Sequence, residues 1–154
     1  MPDLLVALYK LPPTPAPPEG YTVRRAYPFE LSRVRRFIEK HFAEGWADEV
    51  EVAFARQPIS VWIAIHEKKI VGFAATDSTA KGMFGPTGVN EAFRGKGLGA
   101  VLLLAALHGL RENGYAYGVI GGAGPVAFYE KCCGAVVIEG STPGIYVDML
   151  DKDQ

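Results

Sequence analysis

The chain has 154 residues and a net charge of −1, with 49% of its residues apolar and 21% charged. That length suits one domain with a proper core. The near-neutral charge argues against a nucleic-acid partner, which selects clearly basic surfaces, and no apolar run approaches the ~20 residues that span a bilayer. Asp3 and the prolines that follow the first apolar run do not suit a secretory leader. The only cysteines, Cys132 and Cys133, are adjacent. Neighbouring cysteines make a poor staple and fit a reducing cytoplasm. No Cys/His cluster has metal-ligand spacing, so no metal is expected.

Leu4 to Leu8 reads as a short edge strand, followed by a stiff connector carrying Pro12, Pro13, Pro15, Pro17 and Pro18. Residues 1–20 are thus an N-terminal strand and linker, and residues 21–154 the domain proper. Tyr21 to Ala26 alternates like a strand. Leu31 to Phe42 is an amphipathic helix with Val34, Phe37, Ile38 and Phe42 inward and Arg33, Arg35, Arg36 and Lys40 toward water. Gly45 reads as a break before a second helix, Asp48 to Arg56, which Pro58 ends. Ser60 to Ile65 and Ile70 to Thr76 form a hairpin around Glu67-Lys68-Lys69. Lys81 to Val89 is a strand whose glycines and Pro86 predict a bulge or a splayed edge. A long apolar helix runs from about Gly97 to Asn113, then a buried strand, Tyr117 to Ile120. A glycine-rich turn ending at Pro125 opens a short helix to about Cys132. Ala135 to Glu139 and Ile145 to Leu150 read as the last strands. An antiparallel half followed by one strand–helix–strand crossover is an α+β layout with a mixed sheet.

The most informative stretch is Val89 to Gly99. Arg94, Gly97 and Gly99 stand at the spacing Arg-x-x-Gly-x-Gly between a strand and a helix. Glycines there leave backbone N–H groups uncovered and allow positive φ. The helix start adds unpaired N–H groups and the positive end of its dipole, which together bind a phosphate or pyrophosphate. The Rossmann fingerprint fails, since residues 95–99 read Gly-x-Gly-x-Gly and no acidic residue follows about 20 positions on. The Walker loop fails because Gly97 follows Lys96 where Ser or Thr belongs.

Arg94 to Gly99, with the element order, resembles the pyrophosphate loop of the GNAT N-acetyltransferases, and the resemblance covers about Tyr21 to Leu150. It implies an α+β fold of GNAT type: a mixed, mostly antiparallel twisted sheet flanked by about four helices, here with an extra N-terminal strand. It implies acetyl-CoA as co-substrate, with Thr87, Gly88 and Val89 pairing with the pantetheine arm. Arg94, Gly95, Lys96, Gly97, Leu98, Gly99 and Ala100 would cradle the pyrophosphate. Phe128-Tyr129-Glu130-Lys131 resembles the family's late-helix segment and assigns Tyr129 the catalytic role of serving the departing thiolate. There are departures: Gly122 stands where the family often has Asn, and the spacing from Tyr129 to Gly134 is one residue longer than usual.

Trp46-Ala47-Asp48-Glu49, Phe84-Gly85-Pro86, Gly124-Pro125 and Ser141-x-Pro143-Gly144-Ile145-Tyr146 resemble a GNAT subgroup found beside or fused to bacterial β-N-acetylhexosaminidases. That implies a small-molecule amine acceptor, an amino sugar such as glucosamine, with Trp46, Asp48, Glu49, Asp77 and Tyr146 near it. The base is open among Asp48, Glu49, Asp77 and Glu139. His66 and His108 read as structural. Two other readings stand: a non-catalytic acyl-CoA-binding domain, and acetylation of a protein or peptide amine. The oligomeric state, homodimer included, is also open.

Overall fold

The structure is a computed structural model that describes residues 1–153. Its strands are β1 (Leu4–Ala7), β2 (Tyr21–Arg25), β3 (Val61–His66), β4 (Lys69–Thr76), β5 (Met83–Val89), β6 (Tyr117–Ile120) and β7 (Val136–Val137). Its helices are α1 (Leu31–His41), α2 (Glu44–Phe54), α3 (Leu98–Glu112) and α4 (Val126–Cys133). The strands form one mixed sheet in the order β2-β3-β4-β5-β6-β1-β7, with β5–β6 its parallel pair and the other neighbours antiparallel.

Both faces of the sheet are covered. Along β3 the side chains alternate as a pleat demands. Trp62 and Ala64 join the core under α3 and α4, while Val61 and Ile63 join the core under α1 and α2. A strand buried on both faces reads as an unbroken apolar run, which is why Val61 to Ile65 was easy to find. Helix α3 is buried along most of its length, through Leu98, Leu102, Leu103, Leu107 and Leu110. Trp62 lies so close to it that a Cβ on Gly109 would meet the indole at 2.3 Å, and the Arg25 guanidinium covers the ring at 4.4 Å.

Several expectations are corrected. β1 is not an edge strand: it lies between β6 and β7, with Leu4 pairing Ile120 on one side and Val137 on the other. Leu4, Val6 and Leu8 are fully buried. Four alternating residues cannot reveal whether one or both of a strand's edges are bonded. The strand expected at Ile145 to Leu150 does not form, since β1 occupies the position beside β6, and Ile145, Val147, Met149 and Leu150 stay exposed. Ala135 to Glu139 contracts to β7. Helix α2 starts at Glu44 rather than Asp48, with Gly45 in its first turn, where a helix tolerates glycine.

The expected irregularity of β5 is present twice. Between Ala74↔Thr87 and Thr76↔Phe84 the strand carries one residue more than β4, a bulge at Gly85-Pro86 with Gly85 at φ +121°. On its other side β5 pairs with β6 only at Met83↔Val119 and Phe84↔Ile120 before the two diverge.

Gly109→Ala tests the helix–sheet packing. Alanine gains about 1 kcal/mol of helix propensity, but overpacking against a buried indole costs about 1–3 kcal/mol. The expected result is a net loss, read as a lower denaturant midpoint with unchanged slope.

Candidate active site

The site lies where β5 leaves β6. Asn90 N–H donates to Val71 O at 2.8 Å, so the backbone of Asn90 faces β4. Successive residues alternate direction along an antiparallel ladder, so Val89 and, two residues earlier, Thr87 turn their N–H and C=O groups toward the opening. The Thr87 hydroxyl is engaged behind, donating to Phe73 O at 2.9 Å. Gly88 has no room for a side chain, because a Cβ would meet the Phe42 ring at 2.4 Å. Phe42, just past α1, stacks on Trp46 with centroids 5.5 Å apart.

Beyond Val89 the chain makes one tight turn, Glu91–Phe93, capped by Asn90 Oδ1 accepting from Ala92 N–H at 3.1 Å. Arg94 folds back so that its Nε donates to Val89 O at 3.1 Å. Gly95 and Gly97 take φ of +81° and +82°, the left-handed region that glycine occupies without strain. Gly97 is the N-cap of α3, and no side chain caps the helix. The first-turn N–H groups of Leu98, Gly99 and Ala100 therefore have no protein acceptor within the helix. A Cβ on Gly99 would make only ordinary contact, 3.7 Å from Phe128. This helix start and the open edge of β5 line one cavity of about 550 Å³ that reaches Tyr129. Of the residues expected to hold the cofactor, all but Lys96 line it; Lys96 is exposed outside it.

Tyr129 is held on α4, which Gly134 ends in the left-handed conformation. The residue is only 7% exposed. Its ring packs edge-on against Phe84 and Phe128, at 6.3 and 5.1 Å. Burial pushes its phenol up to about 12, with smaller contributions from the Cys133 and Cys132 thiols. Burial also pushes the Cys133 thiol up to about 11. That thiol donates to Tyr129 O at 3.2 Å. It is a packed group and no nucleophile.

A second cavity, about 380 Å³, adjoins the first at Trp46 and Phe84. A smaller space of about 300 Å³ fills the wedge between Phe84–Thr87 and Ile120–Pro125 and touches Tyr129. Glu49 enters the second cavity from α2. Its carboxylate accepts from the Thr79 hydroxyl, and its backbone carbonyl from the Ser78 hydroxyl. Tyr146 forms the opposite wall. Burial raises its phenol pKa first, then the negative charges of Glu49 and Asp3, while a hydrogen bond with Thr79 lowers it.

Of the residues expected near the acceptor, the fold brings together Trp46, Glu49 and Tyr146. Asp48 turns the other way and pairs with Arg35 of α1 at 3.1 Å. Asp77 is buried in the β4–β5 turn, its Oδ1 accepting from Gly82 N–H at 2.6 Å. Neither lines a cavity described here, and Glu139 is exposed outside them. His66 and His108 hold loop carbonyls, those of Gly20 and Pro12. Phe42 and Thr79 escaped the sequence reading as site residues. An aromatic on an amphipathic face looks like core, and a lone Thr in a polar turn carries no signal.

An uncapped helix start opening into a cavity that ends at a buried phenol is the arrangement of a CoA-dependent acyl-transfer fold. A family model described as "Acetyltransferase (GNAT) family" matches residues 21–135. The chain belongs to that family. Among solved structures, a GCN5-related N-acetyltransferase from Sphaerobacter thermophilus is 23% identical with a TM-score of 0.73, over 89% of this chain and 48% of that one. The glucosamine N-acetyltransferase region of a fungal multi-domain GH3 β-N-acetylglucosaminidase is 15% identical with a TM-score of 0.72, over 89% of this chain and 19% of that one. A GNAT-family N-acetyltransferase from Escherichia coli, in complex with CoA, is 20% identical with a TM-score of 0.50, over 66% and 62%. The chain thus spans about half of the first of these proteins and about a fifth of the second. No curated protein matches. Among the described residues no helix is long and apolar enough to cross a membrane.

Gly99→Asp tests the helix start. Its carboxylate would occupy the cradle, while an acidic residue in the first turn suits the helix dipole, so the fold is expected to persist. Charge-assisted hydrogen bonds are worth roughly 1.5–3 kcal/mol each, so acetyl-CoA affinity should fall at least ~100-fold by calorimetry.

Proposed function

We propose that this chain moves the acetyl group of acetyl-CoA to the primary amine of a small amino sugar, glucosamine being the leading acceptor, by direct attack in a ternary complex. The observation that carries the reading is the meeting of the two cavities at Trp46 and Phe84. One has an anion cradle at its far end, and the other has a single carboxylate, Glu49, among flat apolar surfaces. Trp46, Pro86, Pro143 and Tyr146 offer faces for a sugar ring, and Glu49, Thr79 and the Tyr146 hydroxyl offer polar contacts. The fold likeness to a fungal glucosamine N-acetyltransferase region supports the same acceptor class, and the CoA-bound relative supports the same donor.

In this reading the first-turn N–H groups of α3 bind the pyrophosphate, and the outward N–H and C=O groups of Thr87 and Val89 bind the extended pantetheine arm. The thioester then lies near the Val89 N–H, which polarises its carbonyl as an oxyanion-hole donor does. An amino sugar's amine is less basic than a Lys-like amine with a pKa of about 10.4, so its neutral form is easier to reach. Glu49 binds the ammonium and takes its proton. The neutral nitrogen attacks, the N–C bond forms and the C–S bond breaks; of the two protons the ammonium gives up, one leaves through Glu49 to solvent and the second neutralises the thiolate. A phenol raised to about 12 keeps its proton at any working pH. Tyr129 therefore serves the departing thiolate as a hydrogen-bond donor. Holding both reactants in adjoining cavities supplies the proximity term, up to ~7–11 kcal/mol in favourable geometries.

Tyr129→Phe keeps the ring and its packing. It should lower kcat roughly 10²- to 10³-fold while leaving acetyl-CoA affinity and the unfolding temperature nearly unchanged. Because the phenol stays neutral, kcat/KM should rise with pH as the amine deprotonates and then level, with no alkaline fall up to about pH 10. An enzyme carrying Phe that turns over normally would remove Tyr129 from the mechanism.

Glu49→Gln preserves shape and the contact with Thr79. It should lower kcat/KM for the acceptor about 10²-fold with acetyl-CoA binding retained. An acceptor screen reading free thiol, with glucosamine beside a lysine peptide, checks the class: thiol release with the peptide alone would overturn the amino-sugar reading.

A further inference from the structure

We propose that Asp3, carried by the N-terminal strand, is a positioning residue for the acceptor; this rests on the reading of the 380 Å³ cavity as the acceptor pocket. Residues 1–20 lie outside the matched span 21–135, and nothing in the loop or helix motifs points to them. Yet β1 runs beside β6 and delivers Asp3 to the turn that follows it.

Asp3 ties three segments together. Its N–H donates to Ser141 Oγ at 2.8 Å, its C=O accepts from Ile138 N–H at 2.9 Å, and its Oδ1 accepts from Gly122 N–H at 2.8 Å. Pro2 O accepts from Ala123 N–H at 2.9 Å. The second carboxylate oxygen reaches the other wall, 3.1 Å from where a Cβ on Gly144 would stand. Gly122 and Gly144 sit at φ +51° and +65°, turns with no side chain of their own to brace them. Gly121 and Gly122 line one side of the pocket; Thr142, Pro143 and Tyr146 line the other. The Tyr146 hydroxyl rests over the first turn, 3.1 Å from where a Cβ on Gly121 would stand. One carboxylate therefore lies between two glycine turns, bonded to one and close against the other, and sets the distance between the walls of the pocket. None of the residues Asp3 bonds belongs to the helix start or to the open edge of β5, so its influence falls on the acceptor and not on the cofactor.

The test compares Asp3→Ala with Asp3→Asn in the full chain. The amide oxygen of Asn can still accept from Gly122 N–H, whereas Ala cannot. With glucosamine as acceptor, Asp3→Ala should raise the acceptor KM about tenfold or more, the loss expected for a charge-assisted hydrogen bond. It should leave the acetyl-CoA dissociation constant unchanged and lower the unfolding temperature by only a few degrees, and Asp3→Asn should restore most of the KM. Hydrogen exchange, which needs no acceptor, should show faster exchange at Gly121 to Ala123 and Ser141 to Tyr146 in the Ala variant and none at Arg94 to Ala100. An unchanged KM with unchanged exchange overturns the proposal. So does a variant that loses acetyl-CoA affinity and melts early, since that marks Asp3 as a residue of the fold. If wild-type protein does not acetylate glucosamine, the acceptor assignment fails by itself. The exchange pattern and its rescue by Asn then decide whether Asp3 sets the two walls.

Discussion

Strands β5 and β6 hold together for two residue pairs and then separate, and the rest of the site depends on that separation. An extra residue at Gly85-Pro86 bends β5, and Pro86 has no N–H to donate. β4 keeps one edge of β5 bonded as far as Val89 and Asn90. The other edge faces a wedge with no strand in it. Buried backbone groups need partners; Arg94 Nε meets Val89 O, and a sheet can leave Thr87 and the Val89 N–H open only where solvent or an extended ligand supplies them. The same separation makes room for Tyr129 to look into the cavity from α4, and for Trp46 and Glu49 to approach from α2 on the opposite face.

Charge divides between the two adjoining cavities. The larger cavity has Arg94, the uncapped start of α3 and the positive end of its dipole. The smaller one has Glu49, and Tyr146 feels both that carboxylate and Asp3. The aromatic side chains Phe42, Trp46, Phe84 and Phe128 give the larger cavity an apolar lining. The buried phenol belongs to this lining. The low polarity that raises its pKa also strengthens a hydrogen bond from it to a developing negative charge.

The glycines divide by physical reason. At Gly95 and Gly97 the backbone is left-handed with open space where a Cβ would stand, so conformation demands glycine. At Gly88 the backbone is ordinary and the Phe42 ring demands it. A sequence reader sees the first kind as a motif, because spacing follows a local turn. The second kind depends on a partner 46 positions away and is invisible in the chain.

What the sequence determined by itself is what local chemistry encodes. The Arg94-x-x-Gly97-x-Gly99 turn, the amphipathic stripe of α1, the hairpin of β3 and β4, the irregularity of β5 and the helix bearing Tyr129 could all be read from neighbours within a few residues. Tertiary structure alone decided three other matters. It placed β1 inside the sheet, because pairing on both edges is a contact with Ile120 and Val137 far along the chain. It left Ile145 to Leu150, which reads as a last strand, without a partner strand. It also chose among the carboxylates. Asp48 and Glu49 are adjacent, yet about 100° of helical rotation sends one to Arg35 and the other into the cavity beside Trp46. Composition and spacing make such residues equal; only the surface each one faces distinguishes them.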